Sequence, residues 1–289
     1  MTALHLVGLP AVMGRSQGRP EITIALIDGP VLLNHKELAG ATIREISGNV
    51  KGMCIRSETM ACQHGTFVAG ILSARRDSVA PAICPGCTLL VRPIFAETEK
   101  RSGPMPSATP EELAQAIIDC VEAGARIINL SAALAQPSLK HEVKLEEALN
   151  YAARRGAILV AAAGNQRTVG SSVITRHSWT IPVAACNNQG RPLTESTLGG
   201  SIGRRGLSAP GESITSLGTN GEPQILGGTS AAAPFVTGAI ALIWSEFPRA
   251  RADHIKLAVT QFGIRNPRKT IAPPLLNAWA AYEAIQAVS

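Results

Sequence analysis

The stretch Gly228-Thr229-Ser230-Ala231-Ala232-Ala233-Pro234 sets a serine just after two glycines and just before an apolar run that reads as a helix over residues 229–247. A serine so placed sits at a helix N-terminus. Unpaired backbone N–H groups and the positive end of the macrodipole there stabilise an anion forming beside its hydroxyl. Serine is also a favoured helix cap, and Gly-Thr-Ser ahead of a helix is satisfied by that alone. A nucleophilic role requires that the chain elsewhere supply a base, and a partner that holds the base in one tautomer.

Both are present. His64-Gly65-Thr66-Phe67-Val68-Ala69-Gly70 opens an apolar helical run through Leu72, and Glu21 to Ile27 reads as a strand followed directly by Asp28-Gly29-Pro30. A carboxylate leaving the carboxyl end of a buried strand lies where open α/β sheets hold their ligand-binding groups. Taken singly, His64 reads equally as a surface helix residue and Asp28-Gly29-Pro30 as a turn. Together, three segments in the order Asp, His, Ser each carry the local context their roles require.

That joint pattern resembles the subtilisin-like serine proteases, from about Glu21 to about Trp244, with the His64 and Ser230 motifs as its most specific parts. The resemblance implies catalytic roles for Asp28, His64 and Ser230. It also picks out Ile158-Leu159-Val160-Ala161-Ala162-Ala163-Gly164-Asn165, an apolar strand whose terminal Asn165 would donate its side-chain amide to the oxyanion. Alone, Gly164-Asn165 is an ordinary turn. Arg126 to Ala133 resembles the family strand that pairs with substrate backbone, a mode carried by main-chain hydrogen bonds. Substrate contacts are accordingly expected at Ser131, Ala132, Ala133, Ala163 and Gly164. Three positions depart from the family pattern: Ala133 where glycine is usual, Gly29-Pro30 after the aspartate, and Ala231 where methionine is frequent. None removes a catalytic group.

Strand patterns near 21–27, 88–95, 125–131, 157–163 and 179–185 alternate with helical patterns near 64–75, 110–123, 142–155, 229–247 and 251–262. The alternation predicts an α/β protein of the subtilisin-like three-layer type, a parallel central sheet with helices on both faces. Thr109-Pro110-Glu111-Glu112 combines a cap, a proline at the first helical position and two acids in the first turn. Charged residues make up 17% of the chain, below the ~25% of typical domains, which implies a large core. Aromatics are only 3%, so that core rests on Ala, Val, Ile and Leu. Residues 1–20 are expected to form an N-terminal segment ahead of one catalytic domain at 21–289, with no evident propeptide and with further C-terminal domains left open. Glu97 to Thr109, rich in glycine and proline, is expected to be a mobile loop on the substrate rim.

No stretch approaches the ~18 uninterrupted apolar residues of a membrane span, and Met1 to Pro20 lacks the pattern of a secretory signal, so no membrane partner and a cytoplasmic setting are expected. Six cysteines are present; Cys84-Pro85-Gly86-Cys87 has half of a zinc motif, but Cys54 and Cys62 make no obvious second half. A local disulfide or free thiols fit better, Cys120 reads as a small core residue, and no metal or cofactor is expected. The net charge of +6 comes from dispersed basic residues rather than a stripe interleaved with aromatics. An acidic peptide segment steered toward the cleft fits that pattern better than nucleic acid, with solvated surface charge as the default explanation.

Within the family, Gly228 through Pro248 together with Asp28-Gly29-Pro30-Val31 resembles the proteases that mature cyanobactin-type ribosomal peptides. One enzyme of that group cleaves ahead of the core peptide. Its sister cleaves after it and macrocyclises, helped by a long insertion between the catalytic Asp and His. Here those residues are 36 apart, which leaves little room for a lid. The resemblance therefore implies a hydrolytic, leader-cleaving endopeptidase acting on a ribosomal precursor peptide. A general intracellular subtilase and a transamidating macrocyclase remain as alternatives. An α/β-hydrolase esterase is disfavoured, because position 232 is alanine and the Gly-x-Ser-x-Gly elbow is missing.

Overall fold

A computed structural model of the chain describes residues 2–97, 108–131, 142–261 and 270–288. Ala132, Ala133, position 262 and most of the Glu97–Thr109 segment lie outside the described residues. Two short helices, α1 (Ala3–Leu6) and α2 (Leu9–Met13), precede strand β1 (Thr23–Asp28). In β1, Ile24 and Leu26 join one packed cluster while Ala25 and Ile27 join another. That two-residue period with apolar groups on both sides marks a strand buried between layers.

Strands β2 (Thr42–Glu45), β3 (Thr88–Pro93), β4 (Ile127–Leu130), β5 (Ile158–Ala162), β6 (Thr180–Cys186) and β7 (Leu207–Pro210) complete the sheet. Their order in space is β2-β3-β1-β4-β5-β6-β7, and every neighbouring pair is parallel. The chain leaves β1 for β3 on one side and later returns to β4 on the other. This is the switch point beside which open α/β sheets form a crevice at the strands' carboxyl ends.

Helix α3 (Met60–Ser73) lies on one face of the sheet, and α4 (Pro110–Glu122) and α5 (Val143–Arg154) lie on the other. Two short helices follow, α6 (Val173–Arg176) and α7 (Gly200–Arg205), and then a hairpin of β8 (Ile214–Leu217) and β9 (Pro223–Leu226). The hairpin leads into α8 (Thr229–Glu246), which is buried on all sides and packs with α3, α9 (Ala252–Gln261) and α10 (Ala278–Gln286). Val7, Leu9 and Val12 of the N-terminal segment are buried in the same cluster. Among the described residues no helix is long and apolar enough to cross a membrane.

All five expected strands are present, with ends displaced by up to two residues. The missed strands β2 and β7 close the two edges of the sheet, and each has only four residues: Thr-Ile-Arg-Glu and Leu-Ser-Ala-Pro. β2 is mostly exposed and is held by backbone pairing, whereas β7 also buries Leu207 and Ala209 in the core but is too short for its pattern to stand out. Helix α4 begins as expected, with a reciprocal capping box between Thr109 and Glu112. Helix α3 starts four residues earlier than expected, because the Thr59 hydroxyl accepts the Cys62 N–H and caps it. His64 therefore stands one turn inside α3 rather than at its opening.

One buried polar group interrupts the apolar contact between the sheet and α8. Asn129 of β4 donates from Nδ2 to Ser131 Oγ at 2.8 Å and accepts from Thr237 Oγ1 at 2.8 Å. All three residues are buried, so removing one member leaves the others without partners. Thr237→Val keeps the shape and deletes the donor; urea unfolding should show a loss of about 1–3 kcal/mol. An unchanged midpoint would mean that the Asn129 carbonyl finds another donor.

Candidate active site

Asp28 is the last residue of β1 and is fully buried. Its Oδ1 accepts the Gly29 N–H at 2.6 Å and lies 2.7 Å from His64 Nδ1. His64 Nε2 lies 2.9 Å from Ser230 Oγ. The carboxylate can only accept, so Nδ1 carries the ring proton and Nε2 is left to accept the Ser230 O–H. The three side chains form one line of hydrogen bonds drawn from three distant parts of the chain.

Backbone contact sets the first of these distances. A Cβ on Gly29 would lie 2.0 Å from the Ala61 carbonyl oxygen, and one on Gly65 would lie 2.3 Å from the Pro30 carbonyl oxygen. Only hydrogen at both positions lets α3 rest directly on the chain leaving β1. Thr66 Oγ1 reinforces the seat by accepting the Leu32 N–H at 2.9 Å. Burial by itself pushes the His64 imidazole pKa down, but the Asp28 charge and hydrogen bond outweigh it, leaving the ring above its ordinary value.

Ser230 is the second residue of α8, and Gly228, not the serine, is the residue at the cap. The Ser230 hydroxyl is thus free to face His64. Gly228 has φ +94°, and a side chain there would come within 2.7 Å of Asn165 Nδ2. Thr229 ties the helix start to the loop after β5. Its N–H donates to Asn165 Oδ1 at 3.0 Å, and its hydroxyl accepts the Gly164 N–H at 3.2 Å. Because the Asn165 oxygen is committed to Thr229, its Nδ2 remains a donor. The Ala231 and Ala232 N–H groups turn back to the Gly228 carbonyl, whereas the Ser230 N–H meets no acceptor among the described residues. Asn165 Nδ2 and the Ser230 N–H can therefore stabilise an anion.

Ser131 follows β4 and Ala163 follows β5, so both stand at the carboxyl end of the sheet beside this line. Each is mostly buried, and their N–H groups donate to Ile27 and Val183 carbonyls. Gly164 is held by Thr229 on one side and by the Thr197 N–H on its carbonyl. Ala132 and Ala133 belong to the undescribed stretch.

A disulfide joins Cys54 to Cys62, two residues ahead of His64, while Cys84, Cys87, Cys120 and Cys186 are free and buried. The half-motif Cys84–Cys87 is thus a thiol pair, in which a mutual hydrogen bond raises the Cys84 pKa and lowers that of Cys87. The bridge fastens the 52–57 segment to α3, and that segment also pairs with the exit of β1, where Val31 exchanges backbone bonds with Gly52 and Cys54. Glu97 approaches both bridged sulfurs, but its carboxylate accepts the Ile55 and Arg56 N–H groups and the sulfurs are bonded to each other. Reading the sequence alone missed this bridge, the contacts of Gly29 and Gly65, and the clasp made by Thr229. The short separation of eight residues between Cys54 and Cys62 is the local signal for the bridge; no local signal marks the others.

The subtilase family profile (Peptidase S8) matches residues 19–262. A thermostable alkaline protease of Halalkalibacterium halodurans is 32% identical over 199 residues, 68% of this chain and 51% of that protein. The chain spans about half the length of the first curated relatives it matches. Among solved structures, a mutant of the protease domain of PatA superposes with a TM-score of 0.85 at 30% identity, covering 94% of this chain and 98% of that one. The prenylagaramide maturation protease PagA superposes at 0.82 and 28% identity, over 96% and 98%. With the parallel sheet, its switch point and an Asp-His-Ser line in place, the chain belongs to the subtilase family, the subtilisin-like serine proteases.

Proposed function

We propose that this chain is a serine endopeptidase that hydrolyses a peptide bond by acyl transfer, with the continuous Asp28–His64–Ser230 line as the observation that carries the reading. Ser230 Oγ attacks the scissile carbonyl while His64 Nε2 takes its proton. Asp28 holds His64 in the required tautomer and stabilises the imidazolium. Asn165 Nδ2 and the Ser230 N–H receive the oxyanion. His64 then returns the proton to the departing amine, and water, activated by the same ring, releases the acyl group. Substrate backbone pairs along Ser131, Ala132 and Ala133 on one side and Ala163 and Gly164 on the other. These steps use the chain's own side chains and backbone together with water. The catalytic unit is taken as 21–289, with 1–20 packed against it as a brace.

The preferred substrate is a ribosomal precursor peptide of the cyanobactin type, cut at the end of its leader. Support comes from the likeness to PatA and PagA, whose solved structures are described as patellamide and prenylagaramide maturation proteases. The 36-residue spacing between Asp28 and His64 favours hydrolysis over ring closure. The setting is taken as cytoplasmic, and thiol trapping in intact cells tests it. With the cells quenched directly into denaturant, Cys54 and Cys62 should be at least partly alkylatable, and complete protection would place the chain in an oxidising compartment.

Ser230→Ala should abolish cleavage of such a precursor while binding remains measurable, and parent activity should give products whose summed mass exceeds the precursor by one water. A cyclic product without added water would replace hydrolysis by transamidation. Asn165→Ala should lower kcat by roughly 10²–10³-fold; a loss confined to KM would remove Asn165 from the oxyanion role. Since only neutral His64 can act as base, kcat/KM should fall as pH drops through a value above the ordinary histidine pKa of ~6.5. Asp28→Asn should shift that limb downward and cut kcat by about 10⁴-fold. A limb that stays in place would mean that Asp28 does not hold the ring.

A further inference from the structure

The end of the sheet opposite Ser230 carries a groove of about 890 Å³ lined by Arg126, Arg154, Arg155, Arg249 and Arg251. A parallel sheet brings them together. Arg126 immediately precedes β4, Arg154 ends α5 and Arg155 follows it, and Arg249 and Arg251 lie in the turn from α8 to α9. The one acidic residue lining the groove, Asp253, is paired with Arg251 at 2.9 Å. Among the described residues Arg126, Arg154, Arg155 and Arg249 have no carboxylate partner. Four arginines without an ion-pair partner thus line one concave surface, two of them, Arg154 and Arg155, with their guanidinium groups also about 6 Å from the Tyr151 ring.

Arg126 is the anchor of the group. It is half-buried, and its guanidinium lies 3.9 Å from the centroid of the buried Trp244 ring. The Trp244 N–H is held by the Ala250 carbonyl at 2.9 Å, so the ring is fixed and the cation on it is preorganised. Trp179, the other aromatic of the groove, donates to the Ala157 carbonyl at 2.8 Å and lies beneath the Lys256 ammonium at 5.4 Å. These rings carry cations and do not serve as stacking platforms for bases, which single-stranded nucleic acid would need. A partly desolvated guanidinium without a counter-ion is matched by carboxylates, which it binds through two parallel hydrogen bonds.

We propose that this groove is an exosite for an acidic segment of the peptide substrate, remote from the bond that is cut. The inference rests on the reading of the chain as a peptide endopeptidase, and deepens it by naming how a longer substrate is selected. The groove and Ser230 lie at opposite ends of the strands, so the substrate must run around the domain. At ~3.3 Å per extended residue this requires on the order of ten or more residues between the acidic segment and the scissile bond. A short peptide spanning only the cleavage site would not reach the groove.

The test uses the full chain carrying Ser230→Ala, with a fluorescein-labelled peptide of Glu-Leu-Glu-Tyr repeats as probe and fluorescence anisotropy as the readout. Binding should weaken at least about tenfold in Arg249→Glu and in the double variant Arg154→Glu/Arg155→Glu. All three arginines are exposed, so thermal unfolding should match the parent. With Ser230 restored, both variants should cleave a short neutral peptide at the parent rate. Equal binding of the acidic probe by parent and variants overturns the exosite, as does preferential binding of a single-stranded oligonucleotide or of inorganic polyphosphate. If the parent cleaves no peptide yet loses the acidic probe on charge reversal, the groove stands and the proteolytic reading falls.

Discussion

The buried carboxylate at the end of β1 is the constraint from which the active end is built. A charge withdrawn from water costs several kcal/mol unless it is paired and hydrogen-bonded. Asp28 has the Gly29 N–H and the His64 Nδ1–H within 2.7 Å. That pairing exists only because α3 sits in backbone contact with the chain leaving β1, with glycine at both points where a side chain would intervene. The position of the imidazole is therefore set by how closely a helix can approach a strand, and His64 inherits it.

The serine side is positioned by a separate device. Thr229 uses both its N–H and its hydroxyl to clasp the loop after β5, which brings Asn165 against the glycine at the start of α8. The clasp orients the Asn165 amide and leaves its nitrogen uncommitted. The two devices meet through the 2.9 Å contact of His64 with Ser230, and its length is governed by the packing of α3 and α8 in one apolar cluster. A polar line at the surface of the core thus reports on apolar packing beneath it.

The same parallel arrangement gives the sheet two chemically different ends. Strands that all run one way deliver their carboxyl ends to one crevice and their amino ends to the opposite side. At the first stand a carboxylate, an amide and a hydroxyl; at the second, residues preceding three strands converge with the α8–α9 turn, and arginine dominates. Separating reaction chemistry from charge keeps unpaired cations away from the Asp28–His64 pair, whose electrostatics they would otherwise perturb.

The sequence by itself determined the five central strands, the capped start of α4, the apolar α8 and the identity of the groups at Asp28, His64, Asn165 and Ser230. Each is written locally, as a run of buried side chains, a capping box or a short motif beside a glycine. It did not determine the edge strands β2 and β7, whose four residues each are too few to show a period and which form where a neighbour offers backbone partners. Nor did it reveal that the disulfide joins Cys54 to Cys62 rather than closing Cys84–Cys87, or that scattered arginines share one groove. Those outcomes depend on which residues distant in the chain are brought within a few ångströms, and only the packing of helices on a parallel sheet decides that.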